Sequence, residues 1–121
     1  MKIKEAQEKI KKFDEARGWQ DGWDIKDLLL NMTEEGGEFW NLLKWIDKEK
    51  QKEVVKNNMA EVSDYVGDTL FLILKIANQT GVDASKALQE TLDGYEKRMP
   101  PEKMKEVKHS NKLAGGWDNK E

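Results

Sequence analysis

Glu35, Glu38, Glu61, Asp64 and Asp68 are the residues of this chain whose type and spacing could do chemistry. They fall in two short runs, TEEGGEFW at 33–40 and AEVSDYVGD at 60–68. If both runs are helical, a turn of 100° per residue sets Glu35 and Glu38 about 60° apart and brings Glu61, Asp64 and Asp68 within about 60° of one another. Each helix then carries a stripe of carboxylates. Carboxylates held together near a core repel one another, and burial adds to the cost. A hard divalent cation among them removes that cost. With no Cys and a single His near the C-terminus, the oxygen-only donor set favours Mg²⁺ or Mn²⁺ over Zn²⁺.

The elements that must position these residues are helices. Ile3, Ala6, Ile10 and Phe13 recur at helical spacing and predict a first helix over 2–17, stopped by Gly18. The loop 18–24, GWQDGWD, leads to Asp24, a natural N-cap. A second helix is expected over 25–47, with Leu28, Met32, Phe39, Leu42 and Ile46 as its seam. The stretch 48–53, KEKQKE, reads as a charged connection or a helix start. A third helix over 54–80 carries Val55, Met59, Val62, Val66, Leu70, Ile73 and Ile76 or Ala77 on its seam and ends at Gly81. Asp83 caps a fourth helix, roughly 84–98, which Pro100 and Pro101 stop. The expected organisation is a helical domain over 1–100 and a polar tail over 101–121, partly ordered or docked on a partner subunit. No period-two strand pattern appears, so the class is all-α.

Glu35 interrupts the seam of the second helix at a position that packing alone would give to Leu. On the third helix, Glu61 and Asp64 flank Val62. A charged face arising by chance among 24 acidic residues is the plain alternative, and two stripes on successive helices, one inside a seam, argue against it. Gly36 and Gly37 cost on the order of 2 kcal/mol relative to Ala inside a helix. They mark a tolerated weak spot or a tight helix crossing, or they let another helix or a ligand approach the acids closely.

Apolar and charged residues each make up 37% of the chain. That balance is thin for a monomeric core and suits amphipathic helices whose second face meets another chain. A net charge of −3 disfavours a nucleic-acid footprint. The longest apolar run, 70–76, is broken by Lys75 and is too short to span a bilayer. The start has no apolar signal segment. These features lead to the expectation of a soluble cytoplasmic protein.

The pattern Glu34-Glu35-Gly36-Gly37-Glu38, followed by Glu61-Val62-Ser63-Asp64, resembles the MazG-like all-α nucleoside triphosphate pyrophosphohydrolases. GDTLFLILKIANQTGVDASKAL resembles the family's third helix, its turn and the start of its fourth helix. GW…FWNLLKW is similar to the stretch around its first acidic motif. The resemblance covers roughly residues 3–99. It implies a four-to-five-helix bundle completed as a homodimer or homotetramer, and Mg²⁺-dependent conversion of an NTP or dNTP to the monophosphate and pyrophosphate. Glu35, Glu38, Glu61 and Asp64 would hold the metal, and Glu34 or another site carboxylate would take a proton from water. Aligned from the end of the third helix, the family's last Asp falls on Asp68, and Tyr65 stands where a Glu is usual. Asp64 and Asp68 therefore both stay open as ligands. The basic signature after the fourth helix is present only as Lys97 and Arg98.

Trp45 follows Glu35 by ten residues and is a candidate to stack on a base, as the corresponding aromatic of the family is thought to do; core or interface packing is the commoner use of such a residue. Trp19 and Trp23 either close over a base or anchor their loop. Lys75 and Asn78 are candidates for phosphate or sugar contacts from a neighbouring subunit, with plain surface exposure the commoner use of such a Lys; Lys97 and Arg98 are candidates at a helix end, where Arg also suits the helix dipole. The alternative function is a non-catalytic helical module that keeps the scaffold and binds a nucleotide or a protein partner.

Overall fold

The computed structural model describes residues 1–120, which fold into six α-helices and one 3₁₀ turn with no strand among them. The chain divides into two compact units, Met1–Val82 and a second beginning at Asp83. No helix is long and apolar enough to cross a membrane among the described residues.

In the first unit, α1 spans Ile3–Ala16 and ends where Gly18 takes φ +67°. A left-handed residue there costs glycine nothing. The loop delivers Asp24, whose carboxylate accepts the Asp27 backbone N–H at 2.8 Å and starts α2, Ile25–Leu43. The expected helix 25–47 is shorter than its seam suggested. Lys44 turns extended and Trp45 takes φ +67°. The Ile46 N–H closes the turn on Leu43 O at 3.0 Å. Asp47 then opens a separate helix, α3, over Lys48–Lys56, and the Gln51 side chain donates to Ile46 O.

The expected helix over 54–80 is likewise divided. At Asn57 and Asn58 the chain turns before α4, Met59–Thr80, begins. Asn58 Nδ2 donates to Val54 O at 2.7 Å. Asparagine side chains compete in this way with the helical ladder and favour its ends. Gly81, at φ +72°, ends α4, and the Val82 N–H returns to Ala77 O.

Both α1 and α2 pack on α4. Leu28 of α2 is the most enclosed apolar side chain at 1% exposure, and Leu72, Leu74 and Ala77 of α4 complete a small core. The expected α4 seam is therefore rotated. Met59, Val66, Leu70 and Ile73 are exposed, whereas the buried set includes Leu72 and Lys75. The cause is that α4 is apolar on two sides. Periodicity finds an apolar stripe but does not say which stripe the same chain covers. Gln7 of α1 ties to the end of α4 through Asn78 and Val82 O.

In the second unit, Asp83 accepts the Lys86 N–H and caps α5, Ala84–Arg98. Pro101 opens α6, Pro101–Val107, and a 3₁₀ turn follows at Lys112–Ala114. Arg98 grips Asp118 through two bonds, Nε–Oδ1 at 3.0 Å and Nη2–Oδ2 at 2.7 Å, and the Asn119 N–H donates to Arg98 O. Asp118 and Asn119 are thereby tied back to the end of α5.

Candidate functional site

Helices α2 and α4 together line a basin of about 220 Å³, and Glu35, Glu38, Glu61, Asp64 and Asp68 all face it. The two stripes expected from helical spacing thus meet across one helix pair. Tyr65 lies among the acids and stacks on Phe39 across the pair, with ring centroids 5.1 Å apart and planes 30° apart. That stack and Leu42 form the apolar part of the wall.

The electrostatics follow from the crowding. The Glu35 carboxyl is pushed above the ordinary carboxylate range, first by desolvation and then by the charges of Glu38, Asp68, Glu34 and Asp64. Glu35 is half-buried whereas Glu38, Glu61, Asp64 and Asp68 are exposed, so it gives up more water than they do. Among the described residues, no three His, Asp or Glu side chains are already drawn close enough to hold a metal ion. The acids line the basin without converging. Gly36 and Gly37 would each meet nothing within 4 Å if they carried a Cβ. They mark no tight crossing within the chain, and they leave space around the acids of α2.

The donor chemistry of the basin fits a hard cation. All its charged groups are carboxylates, the ligands that Mg²⁺ and Mn²⁺ prefer. Glu35, held with four like charges around it, is the group that gains most from a cation.

The other candidate residues lie elsewhere. Glu34 is exposed and does not line the basin, although its charge acts on Glu35. Trp45 stands in the α2–α3 turn at 94% exposure and lines no part of the basin. Lys75 is buried at 6% and pairs with Asp14 of α1, with Nζ–Oδ1 at 3.3 Å. Asn78 exchanges hydrogen bonds with Gln7. Lys97 and Arg98 belong to the second unit, where Lys97 is exposed and Arg98 is committed to Asp118. That pairing raises the Arg98 guanidinium and lowers the Asp118 carboxyl.

Asp14 was not among the residues singled out from the sequence. It lies on the half-buried stripe of Ile3, Gln7 and Ile10, at i+11, i+7 and i+4 from them, and an acid continuing that stripe is the signal that identifies it. At 4% exposure it is the most buried charged residue among the described residues. With Lys75 it lines a cavity of about 490 Å³ between the end of α1, the Trp23 loop and the end of α4. A second cavity of about 390 Å³ lies alongside, walled by Trp19, Trp23, Leu28, Phe71 and Leu72 and sharing Lys75. Comparison with protein-family models, with curated proteins and with solved structures found no match.

Proposed function

We propose that the chain is a MazG-like, Mg²⁺-dependent nucleotide pyrophosphohydrolase that converts an NTP or dNTP to the monophosphate and pyrophosphate. The observation that carries this reading is the single basin to which α2 and α4 contribute five carboxylates, with the Glu35 carboxyl raised by desolvation and then by its acidic neighbours. Bound Mg²⁺ would supply charge neutralisation for the polyphosphate and a more acidic water. Glu35, Glu38, Glu61, Asp64 and Asp68 are the residues to hold it. The protein's own work is to orient those carboxylates and to take a proton from water, for which Glu35 and Glu38 in the basin, and Glu34 beside it on α2, are the candidates. Such chemistry depends on positioning and charge stabilisation rather than on a protein nucleophile.

The apolar residues left open on α4 support assembly into a homodimer or homotetramer, and the absence of Cys fits a cytoplasmic setting. One observation favours a second reading, a nucleotide- or partner-binding module without turnover. Tyr65 stands in the basin stacked on Phe39, where a further carboxylate would add charge. A panel of NTPs and dNTPs with Mg²⁺ or Mn²⁺, read out as pyrophosphate, separates the two. Release of pyrophosphate supports the enzyme. Calorimetric binding of nucleotide and metal with no product supports the module.

A further inference from the structure

The basin between α2 and α4 contains one polar side chain that is not an acid. Tyr65 follows Glu61 by four residues and precedes Asp68 by three, so it leaves α4 on the same side as both. Its ring stacks on Phe39 of α2, with centroids 5.1 Å apart, and both side chains line the basin. A stack that spans the two helices fixes where the ring lies. The hydroxyl at its end has no partner in the chain. Among the described residues it makes no hydrogen bond, and it is not one of the enclosed, unsatisfied polar atoms, which are Asp14 Oδ1 and Thr69 Oγ1. It is therefore open to water, on a side chain that lines the basin.

The chemistry of the basin makes that hydroxyl distinctive. Five ionised carboxylates accept hydrogen bonds and donate none. A polyphosphate likewise presents oxygens that only accept. A divalent cation between the two offsets the charge, and each phosphate oxygen that is not on the cation still gains from a donor. Arg and Lys are the usual donors to phosphate. Among the described residues no Arg or Lys lines the basin. Lys75 is paired with Asp14 instead, and Arg98 with Asp118. The Tyr65 phenol is the one donor on the basin wall that does not depend on the protonation of an acid.

We propose that Tyr65 is a phosphate-binding residue, its hydroxyl donating a hydrogen bond to a non-bridging oxygen of a polyphosphate held in the basin with Mg²⁺. The inference rests on the reading of the basin as a nucleotide polyphosphate site. It does not depend on hydrolysis, since a bond to the bound nucleotide serves a binding module as well as an enzyme.

Tyr65→Phe removes the hydroxyl and keeps a ring to stack on Phe39. Calorimetry of parent and variant, with Mg²⁺ alone and then with Mg²⁺ and the α,β-methylene triphosphates of the common bases, tests the bond without turnover. Mg²⁺ affinity is expected to be unchanged. Affinity for the analogue is expected to fall roughly tenfold or more, the loss of one charge-assisted bond. For a triphosphate that is hydrolysed, KM should rise with kcat little changed. The chain has two Tyr. Labelling with 3-fluorotyrosine therefore gives two fluorine signals, which Tyr65→Phe and Tyr95→Phe assign. The Tyr65 signal should move when the analogue joins Mg²⁺, and the Tyr95 signal should stay. If Tyr65→Phe does not fold, that shift in the labelled parent decides. Equal analogue affinity in parent and variant, or a Tyr65 signal that the analogue leaves in place, overturns the proposal. So does a variant that loses affinity for Mg²⁺ alone, which would make Tyr65 a support of the metal site. A parent that binds none of the analogues with Mg²⁺ removes the polyphosphate reading and this inference with it. Weaker analogue binding in Tyr65→Phe, with no pyrophosphate released from any natural triphosphate, keeps the inference and removes the enzyme.

Discussion

Glu35 of α2 and Asp68 of α4 line the same basin, and the charge on Asp68 is one of four that hold the Glu35 carboxyl above its ordinary range. Desolvation of Glu35 is the larger cause. The folded protein therefore holds the Glu35 proton more tightly than the unfolded chain does. Its contribution to stability is most favourable below the unfolded value, declines as pH rises from there to the folded value, and stays unfavourable above. Glu35→Gln removes that penalty. Thermal unfolding without metal should show the variant a few degrees more stable than the parent at pH 7, with the two curves converging below pH 4. Added Mg²⁺ should raise the parent's midpoint more than the variant's. A variant less stable than the parent at pH 7 would show that Glu35 is held by contacts that outweigh its repulsion.

The remaining acids divide by role. Glu38→Gln and Asp64→Asn are each expected to lower pyrophosphate release by at least about 100-fold with helical content unchanged by circular dichroism. Asp68→Asn belongs in the same series, because Asp64 and Asp68 both face the basin. The variant that loses Mg²⁺ affinity by calorimetry identifies the direct ligand. Full activity in both Glu38→Gln and Asp64→Asn would remove the site assignment.

Much of this arrangement was legible in the sequence, for reasons that are local. Gly18 and Gly81 stop helices, and Asp24 and Asp83 cap them, because each acts through its own backbone and the next turn. The carboxylate stripes were legible because helical spacing is regular. The break at Trp45 was not, since a tryptophan in left-handed backbone carries no turn signature. The true inward face of α4 was hidden because the helix has two apolar sides. Lys75 and Asn78 read as exposed polar residues able to reach a ligand, and α1 covers them instead. Asp14 needed its partner to be recognised, and a residue 61 positions away in the chain is not visible to periodicity.

The Asp14–Lys75 pair makes a sharp prediction about stability. With side chains only 6% and 7% exposed, neither charge has ready access to water. Asp14→Ala leaves the Lys75 ammonium buried and unpaired and should cost about 3–5 kcal/mol. Replacing both, as Asp14→Leu with Lys75→Met, removes the two desolvation penalties together and should come within about 1 kcal/mol of the parent. Urea unfolding of the single and double variants measures the difference. A double change that costs as much as the sum of Asp14→Leu and Lys75→Met made singly would mean that the two residues are not coupled.

Arg98 at the end of α5 holds Asp118 through a bidentate contact, and the Arg98 hydrogen bonds draw the Asp118 carboxyl below its usual range. The contact is therefore complete above the unfolded Asp value and is lost as pH falls through the lowered folded value. Asp118→Asn should speed amide exchange at Trp117 and Asn119, whose N–H groups are held by His109 O and Arg98 O. Exchange at α4 should not change. A variant with unaltered exchange at residues 117–119 would show that backbone bonds alone hold this segment.

Val66, Leu70 and Ile73 recur at i, i+4 and i+7 on α4, and Leu70 is 54% exposed. Three aliphatic side chains at that spacing form one stripe, and the same helix has already buried its other side on α1 and α2. Removing such a stripe from water contributes about 25 cal/mol per Å² of apolar area. A partner helix would cover all three residues at once. Sedimentation at micromolar concentration should therefore give a species at least twice the 14.0 kDa chain mass. Leu70→Lys places a charge in the middle of the stripe and should shift the protein toward monomer. Because Leu70 contributes little to the core of its own chain, the monomer should keep its helical content. A parent protein that sediments as a monomer, or a Leu70→Lys variant that remains assembled, would place the subunit contact, if any, on another face.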